Sequence, residues 1–179
     1  MSEIKQIETR VVYRNKWMTV REDKIKRQSG ALGIYGVVEK PDFAVIIPIQ
    51  GDDIFVVEQY RYPVGKRLVE LPQGSWNGEE TKSIEETAAI ELKEETGITA
   101  KQIIHIGEQF VAYGYSNQKF HIFIAKDVTT GTQNLESEEE GLISKRIKIV
   151  TFEKMILDGL IQDSASVTSF LLAKLKGYI

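Results

Sequence analysis

One helix constrains this chain more than any other stretch. Ser83 is a good N-cap, and Glu86, three residues on, completes a capping box. Gly97 follows the last periodic residue, where a left-handed C′ glycine belongs. These signals predict a helix over about residues 84–96. Ile84, Ala88 and Leu92 form its apolar stripe, so it has to lie on a core. Glu91, Glu94 and Glu95 stand at i, i+3 and i+4 and share one face, within an arc of roughly 100°. The acidic edge therefore borders the buried face. Like charges stacked this way cost about 0.2–0.5 kcal/mol per pair on a bare helix. Either the edge is a solvated acidic surface, or it has a positive counterpart. Hard divalent cations such as Mg²⁺ take oxygen ligands, one or two carboxylates together with substrate phosphates.

The Gly-rich lead-in to the helix shifts the balance toward the second. The segment Gly74–Ile98 resembles the Nudix box, G-x5-E-x7-R-E-U-x-E-E-x-G-U, with U a bulky apolar residue. Glu91-Leu92-Lys93-Glu94-Glu95-Thr96-Gly97-Ile98 matches every fixed position after the Arg, and Leu71-Pro72-Gln73-Gly74 resembles the loop that opens the box. Two departures stand out. Ile90 occupies the Arg position, and the segment from Gly74 to Gly97 is two residues longer than the pattern. The extra residues fall in 77–82, and Glu79 or Glu80 takes the part of the first Glu. The family's Arg is a structural ion-pairing residue, so Ile90 bears on efficiency more than on metal binding. Ile90 is expected to be structural, against the core edge of the helix.

The resemblance extends over about residues 8–176. Trp17–Arg21, Pro41–Phe43, Glu58–Pro63, Glu70–Pro72 and Asp158–Asp163 look like landmarks of the branch that acts on ADP-ribose and nucleoside-diphosphate sugars. It implies an α/β fold: the Nudix α/β/α sandwich with a mixed sheet and an N-terminal antiparallel β section. Residues 1–40 form that section, expected to serve dimerisation and substrate contacts, and 41–179 form the catalytic domain. A homodimer is implied.

Composition fits this and excludes other classes. With 42% hydrophobic and 27% charged residues, the chain has the make-up of a soluble globular protein. The net charge is −3, with no basic run, so no nucleic-acid footprint is visible. There is no cysteine, which excludes thiolate chemistry and Cys-based zinc sites. His105 and His121, the two histidines, lie in strand-like stretches and are expected to be core or edge residues. The N-terminal residues show no apolar signal region, and the run 43–49 is too short to span a bilayer, which needs about 20 residues. No membrane partner is expected, and the expected compartment is the cytoplasm.

Along the chain, residues 8–38 read as three strands punctuated by Gly30 and Gly33. Phe43–Ile49 reads as a buried central strand, with Ile54–Tyr60 as its hairpin partner across Gly51-Asp52-Asp53. Residues 67–71 are short and extended. Residues 103–112 and 120–125 are strands, 127–143 a polar, mobile loop, and 147–151 a further strand. Residues 152–158 and 164–176 are amphipathic helices.

Roles follow from chemistry and resemblance together. Hydrolysing a diphosphate requires charge neutralisation and a positioned water, and Mg²⁺ or Mn²⁺ supplies the first. Glu91 and Glu95, with Glu94 alongside, are placed to hold such ions. The resemblance adds the carbonyl of Gln73 as a ligand. It also implies a late-loop glutamate that orients or deprotonates water alongside the catalytic Glu94 and Glu95: Glu139 first, Glu138 second. Arg61, between two tyrosines, either grips a phosphate bidentately or forms a surface ion pair. Glu70 either contacts metal-bound water or ribose, or simply ends a strand. Trp17 is either a core residue, the preferred assignment, or a platform for a nucleobase. Tyr113 stands where ADP-ribose pyrophosphatases have Pro, and Asn117-Gln118 replace an acidic pair. The expected substrate is a small nucleoside diphosphate linked to a sugar. The alternatives are a dinucleoside polyphosphate or nucleoside triphosphate hydrolase of the same family, and a non-catalytic nucleotide-binding module.

Overall fold

The computed structural model describes residues 3–75 and 83–179. It divides into two compact units, Met1–Asp42 with Gln109–Lys119, and Phe43–Glu108 with Phe120–Ile179.

The first unit is built on an antiparallel sheet of β1 (Ile4–Arg14), β2 (Thr19–Arg27) and β3 (Leu32–Glu39), in that order. Gly30, at φ +88°, makes the β2–β3 turn, a conformation that L side chains resist. Cross-strand pairs such as Lys24–Glu8 at 2.7 Å and Arg10–Glu22 at 3.1 Å line β1 and β2. β1 is exposed along its whole length, Ile4, Ile7, Val11 and Val12 included. Residues 109–119 join this unit through the Val38 N–H, which donates to the Tyr115 carbonyl at 2.7 Å, and the Gln118 amide, which donates to the Pro41 carbonyl at 2.6 Å.

The second unit is a sandwich around a mixed sheet. Its main path runs β10 (Ile143–Lys148), β5 (Asp53–Arg61), β4 (Phe43–Gln50), β9 (Lys119–Thr129), β8 (Thr99–Phe110), with β6 (Lys66–Glu70) on β5 and β7 (Gln73–Ser75) on β4. β4 lies centrally, parallel to β9 and antiparallel to β5. Its run Ala44–Ile47 is wholly buried because both faces are covered. Successive side chains point to opposite faces. Val45 and Ile47 join Phe152 and Phe170 of α2 (Ile149–Leu157) and α3 (Ser164–Leu175). Ala44 and Ile46 join Ala88 and Leu92 of α1 (Ile84–Thr96). Among the described residues no helix is long and apolar enough to cross a membrane.

Two expectations need correction. The strand placed at 147–151 ends at Lys148, where its pairing with Asp53 ends, and helix α2 begins at Ile149. β-branched Ile149, Val150 and Thr151 favour a strand locally. They become helical because Phe152 is fully buried on the α2–α3 face of the sheet. The supposed mobile loop at 127–143 begins later, since β9 runs to Thr129, and it is tied down at several points, as described below.

Candidate active site

α1 has both expected caps. Ser83 Oγ accepts the Glu86 N–H at 3.1 Å, and the Glu86 carboxylate accepts the Ser83 N–H at 2.7 Å. Gly97 has φ +72°, and a Cβ there would sit 2.5 Å from the Gly131 carbonyl oxygen. Glycine at this position therefore satisfies the left-handed cap and also lets the segment after β9 approach the end of the helix. That segment satisfies the helix's last carbonyls: the Asn134 N–H donates to Glu94 O at 3.0 Å, and the Gln133 amide to Glu95 O at 2.5 Å. Further on, Arg67 Nη2 donates to the Gly141 carbonyl at 2.8 Å. The turn carrying Glu136–Glu139 is held between these anchors.

The site is framed by α1, this turn and the segment Leu71–Gly74. Glu95 is 2% exposed, and its Oε2 accepts the Gln73 N–H at 2.9 Å. Burial drives its carboxyl well above the usual range; the Gln73 N–H opposes this, while Glu139, Glu91 and Glu70 add to it. Burial, then the charges of Glu139, Glu94 and Glu136, push Glu91 up to about 8. Glu139 is also raised, by burial first and then by Glu136 and Glu94, while its bond from the Glu136 N–H, at 2.9 Å, works against the shift. Five glutamates from two elements, Glu91, Glu94 and Glu95 of α1 with Glu136 and Glu139 of the turn, thus share one electrostatic field. Among the described residues no three acidic side chains converge on a single point at ligand spacing.

A second acidic centre adjoins this one. Glu70, at the end of β6 and 2% exposed, is gripped by Arg61 through Nη2–Oε1 at 2.6 Å and Nε–Oε2 at 3.2 Å, and Gln59 donates to Oε1 at 2.6 Å. Burial raises the Glu70 carboxyl, and Arg61 opposes the shift. The expected alternatives for Arg61 thus narrow: it forms an ion pair, with a buried carboxylate and not at the open surface, and that pair engages two of its donors.

The structure brings Glu91, Glu94, Glu95, Glu139, Gln73, Glu70 and Arg61 into the second unit. Glu138 lies on the same turn, exposed, with its carboxylate accepting from Ser137 Oγ at 2.7 Å. Trp17 and Tyr113 belong to the first unit. The core assignment for Trp17 is wrong: it is 55% exposed, with Lys16 Nζ 4.3 Å above its ring, in an open cleft shared with Met18, Glu39 and Lys40. It sits in the β1–β2 turn, where Asn15 Oδ1 accepts its N–H, and a turn tip offers no core to enter. Tyr113 is also exposed. Ile90 is half-buried. Glu79 and Glu80 lie outside the described residues. His105 is exposed on edge strand β8, and His121 Nδ1 lies 3.6 Å from Glu108. Sequence reasoning gave no individual role to Glu136, Gln133 or Asp163. The spacing Glu136–Glu139 was a legible turn-capping signal and Asp163, directly before the last helix, a legible N-cap, but Gln133 carried none.

Comparison with known proteins now assigns the frame. The family model described as the NUDIX domain matches residues 40–169. The chain belongs to the Nudix family. A second model, the nucleoside diphosphate sugar hydrolase N-terminal domain, matches residues 4–38. This Nudix hydrolase is 27% identical over 143 residues to the ADP-ribose pyrophosphatase of Bacillus subtilis (strain 168), covering 79% of this chain and 76% of that protein. It is 26% identical over 171 residues to the ADP compounds hydrolase NudE of Escherichia coli (strain K12), covering 93% and 90%. Its fold matches the crystal structure of an ADP compounds hydrolase with a TM-score of 0.86, over 100% of this chain and 98% of that one, at 20% identity.

Proposed function

We propose that this Nudix hydrolase cleaves the diphosphate of a nucleoside diphosphate linked to a sugar, ADP-ribose included, to a nucleoside monophosphate and a sugar phosphate. The observation that carries this is Glu95, a carboxylate raised first by burial and then by its acidic neighbours, and held by one backbone N–H. Among the described residues no cation acts on this group, and the carboxylate and carbonyl oxygens around it are the donor type that Mg²⁺ or Mn²⁺ takes. Glu91, Glu94, Glu95 and the Gln73 carbonyl would hold the metal. When bound, it neutralises diphosphate charge and lowers the pKa of a water.

The chain's own residues supply the rest. Glu139, raised above the ordinary carboxylate range by burial and standing beside the carboxylate edge, accepts the proton of the attacking water, with Glu138 as the second choice. Glu70 fixes the Arg61 guanidinium, whose remaining donors face a phosphate. Trp17, open to solvent beside Lys16 and Lys40, offers its face to a base, and Tyr113 is a further substrate contact. The match of residues 4–38 to the N-terminal domain of nucleoside diphosphate sugar hydrolases supports the sugar-linked substrate. The protein works as a homodimer in the cytoplasm, without nucleic-acid or membrane partners.

A substrate panel with Mg²⁺ tests this. ADP-ribose and several nucleotide sugars should give kcat/KM values within about two orders of magnitude of one another, since no single pocket contact dominates. A preference above ~100-fold for dinucleoside polyphosphates or nucleoside triphosphates would overturn the substrate assignment. Failure to cleave any of them would leave a binding module.

A further inference from the structure

The segment Leu71–Gly74 is the surface on which two of the carboxylates rest. Its Gln73 N–H reaches Glu95 Oε2, and a Cβ on Gly74 would fall 1.9 Å from the Glu91 carboxyl carbon. The other side of this segment is bound to the start of α3. Leu71, fully buried, donates its N–H to Ser166 Oγ at 2.8 Å. Ser166, also fully buried, donates its hydroxyl to Asp163 Oδ2 at 2.6 Å and its N–H to the same oxygen at 2.8 Å. The Gln73 side-chain amide lies 3.4 Å from that oxygen. A serine hydroxyl has one proton. With the Leu71 N–H pointing at Oγ, that proton is directed to Asp163, so the chain of bonds has one sense. Pro72, between the two anchored residues, accepts the Ile46 N–H at 2.9 Å.

Ser169 provides an internal contrast. It lies one turn further along α3 and is as deeply buried, yet among the described residues its Oγ has no hydrogen-bond partner. Burying a serine on this helix does not by itself require a bond, and the bonds of Ser166 are directed at the site segment.

We propose that Ser166 and Asp163 are positioning residues for the metal-binding carboxylates Glu91 and Glu95, acting through the backbone of Leu71–Gly74. This rests on the metal-dependent function proposed above. Neither residue touches the metal or the substrate. They set where the Gln73 N–H and the Gly74 α-carbon stand, and those set the two carboxyl groups. Groups that orient metal ligands from behind typically change affinity by about 10–100-fold when removed.

The test compares the wild type with Ser166→Ala, Ser166→Thr, Asp163→Asn and Ser169→Ala. Mn²⁺ binding to the metal-free protein is followed by electron paramagnetic resonance, the melting temperature is taken in chelator, and kcat and KM for ADP-ribose are measured at saturating Mg²⁺. Ser166→Ala should weaken Mn²⁺ binding by about 10-fold or more and raise the Mg²⁺ needed for half-maximal activity in parallel, with the KM for ADP-ribose within about twofold. Ser166→Thr, which keeps the hydroxyl, should recover most of the affinity. Ser169→Ala should match the wild type in metal binding. If Ser166→Ala does not fold, Asp163→Asn decides: it keeps size and capping ability but loses the charge that receives the Ser166 proton, and should weaken Mn²⁺ binding severalfold. Wild-type Mn²⁺ affinity in a folded Ser166→Ala, or in Asp163→Asn if the alanine variant fails to fold, would overturn the proposal. So would an equal loss in Ser169→Ala, which would mark general loosening of α3. A wild type that neither binds Mn²⁺ nor cleaves any diphosphate would be a different failure, of the metal site itself.

Discussion

The carboxyl group of Glu91 lies where a side chain on Gly74 would have to be: a Cβ there would sit 1.9 Å from its carbon and 2.0 Å from Oε2. The glycine that opens the acidic segment is required by contact with a residue seventeen positions later. Gly74→Ala should displace Glu91 and lower kcat by about 10-fold or more, in the range that a 1.4 kcal/mol rise in barrier produces. Steady-state kinetics at saturating Mg²⁺ check this, and an alanine variant with wild-type kcat would show that Glu91 can move without consequence.

Glu95→Gln keeps the shape of the side chain, and Oε1 can still accept the Gln73 N–H, but the charge is lost. It should lower kcat by at least ~100-fold, about 2.7 kcal/mol. Folding should be unaffected or slightly improved in chelator, because the buried carboxylate loses its repulsion from Glu139 and Glu91. Turnover like the wild type would rule out Glu95 as part of the metal site.

The metal-free protein should be more stable in mild acid than in mild base. Glu91 has a folded pKa of about 8 against an ordinary 4.5, so its ionised form is disfavoured by folding. The stability this carboxyl permits is fully present below the unfolded value and is lost as pH rises through about 8. Asp53, Glu58 and Asp23, lowered by cationic partners, act in the opposite sense, but their stability is lost only as pH falls below their ordinary values, outside this window. Thermal melting in chelator should show a midpoint falling by roughly 5 °C or more between about pH 5 and about pH 8.5, and Glu91→Gln should flatten that slope. Mg²⁺ should raise the midpoint most at the alkaline end. A midpoint that climbs with pH across this window would contradict the assignment.

Ile90→Arg restores the residue of the family pattern at a half-buried position. Ile90 stands about 100° around the helix from Glu91. The added guanidinium should leave kcat/KM within a factor of about 10 of the wild type, or raise it, which the same kinetics would measure. A natural protein inert toward every diphosphate and rescued by Ile90→Arg would reverse this.

β1 exposes Ile4, Ile7, Val11 and Val12 on a three-stranded sheet, more apolar edge than a monomer in solution ordinarily leaves bare. Sedimentation at micromolar concentration should give a dimer of the 20.3 kDa chain. A sharp monomer peak would refute it.

What the sequence determined by itself is local. The bounds of α1 follow from Ser83, Glu86 and Gly97, and the positions of β4 and β5 from an apolar run and a glycine turn, because capping and side-chain periodicity act over a few residues. The shared face of Glu91, Glu94 and Glu95 follows from helix geometry alone. The tertiary structure decided everything that depends on distant segments meeting. Ile149–Thr151 became helical because burying Phe152 outweighs a β-branched preference. Trp17 went to solvent because its turn has no core beneath it. Arg61 and Glu70, nine residues apart, pair across the β5–β6 hairpin. Ser166 meets Leu71 ninety-five residues away, through a single hydroxyl that leaves no mark in composition or spacing. The acidic edge was legible because it repeats along one helix; the groups that set its charge state and hold it in place come from other elements, and only packing brings them together.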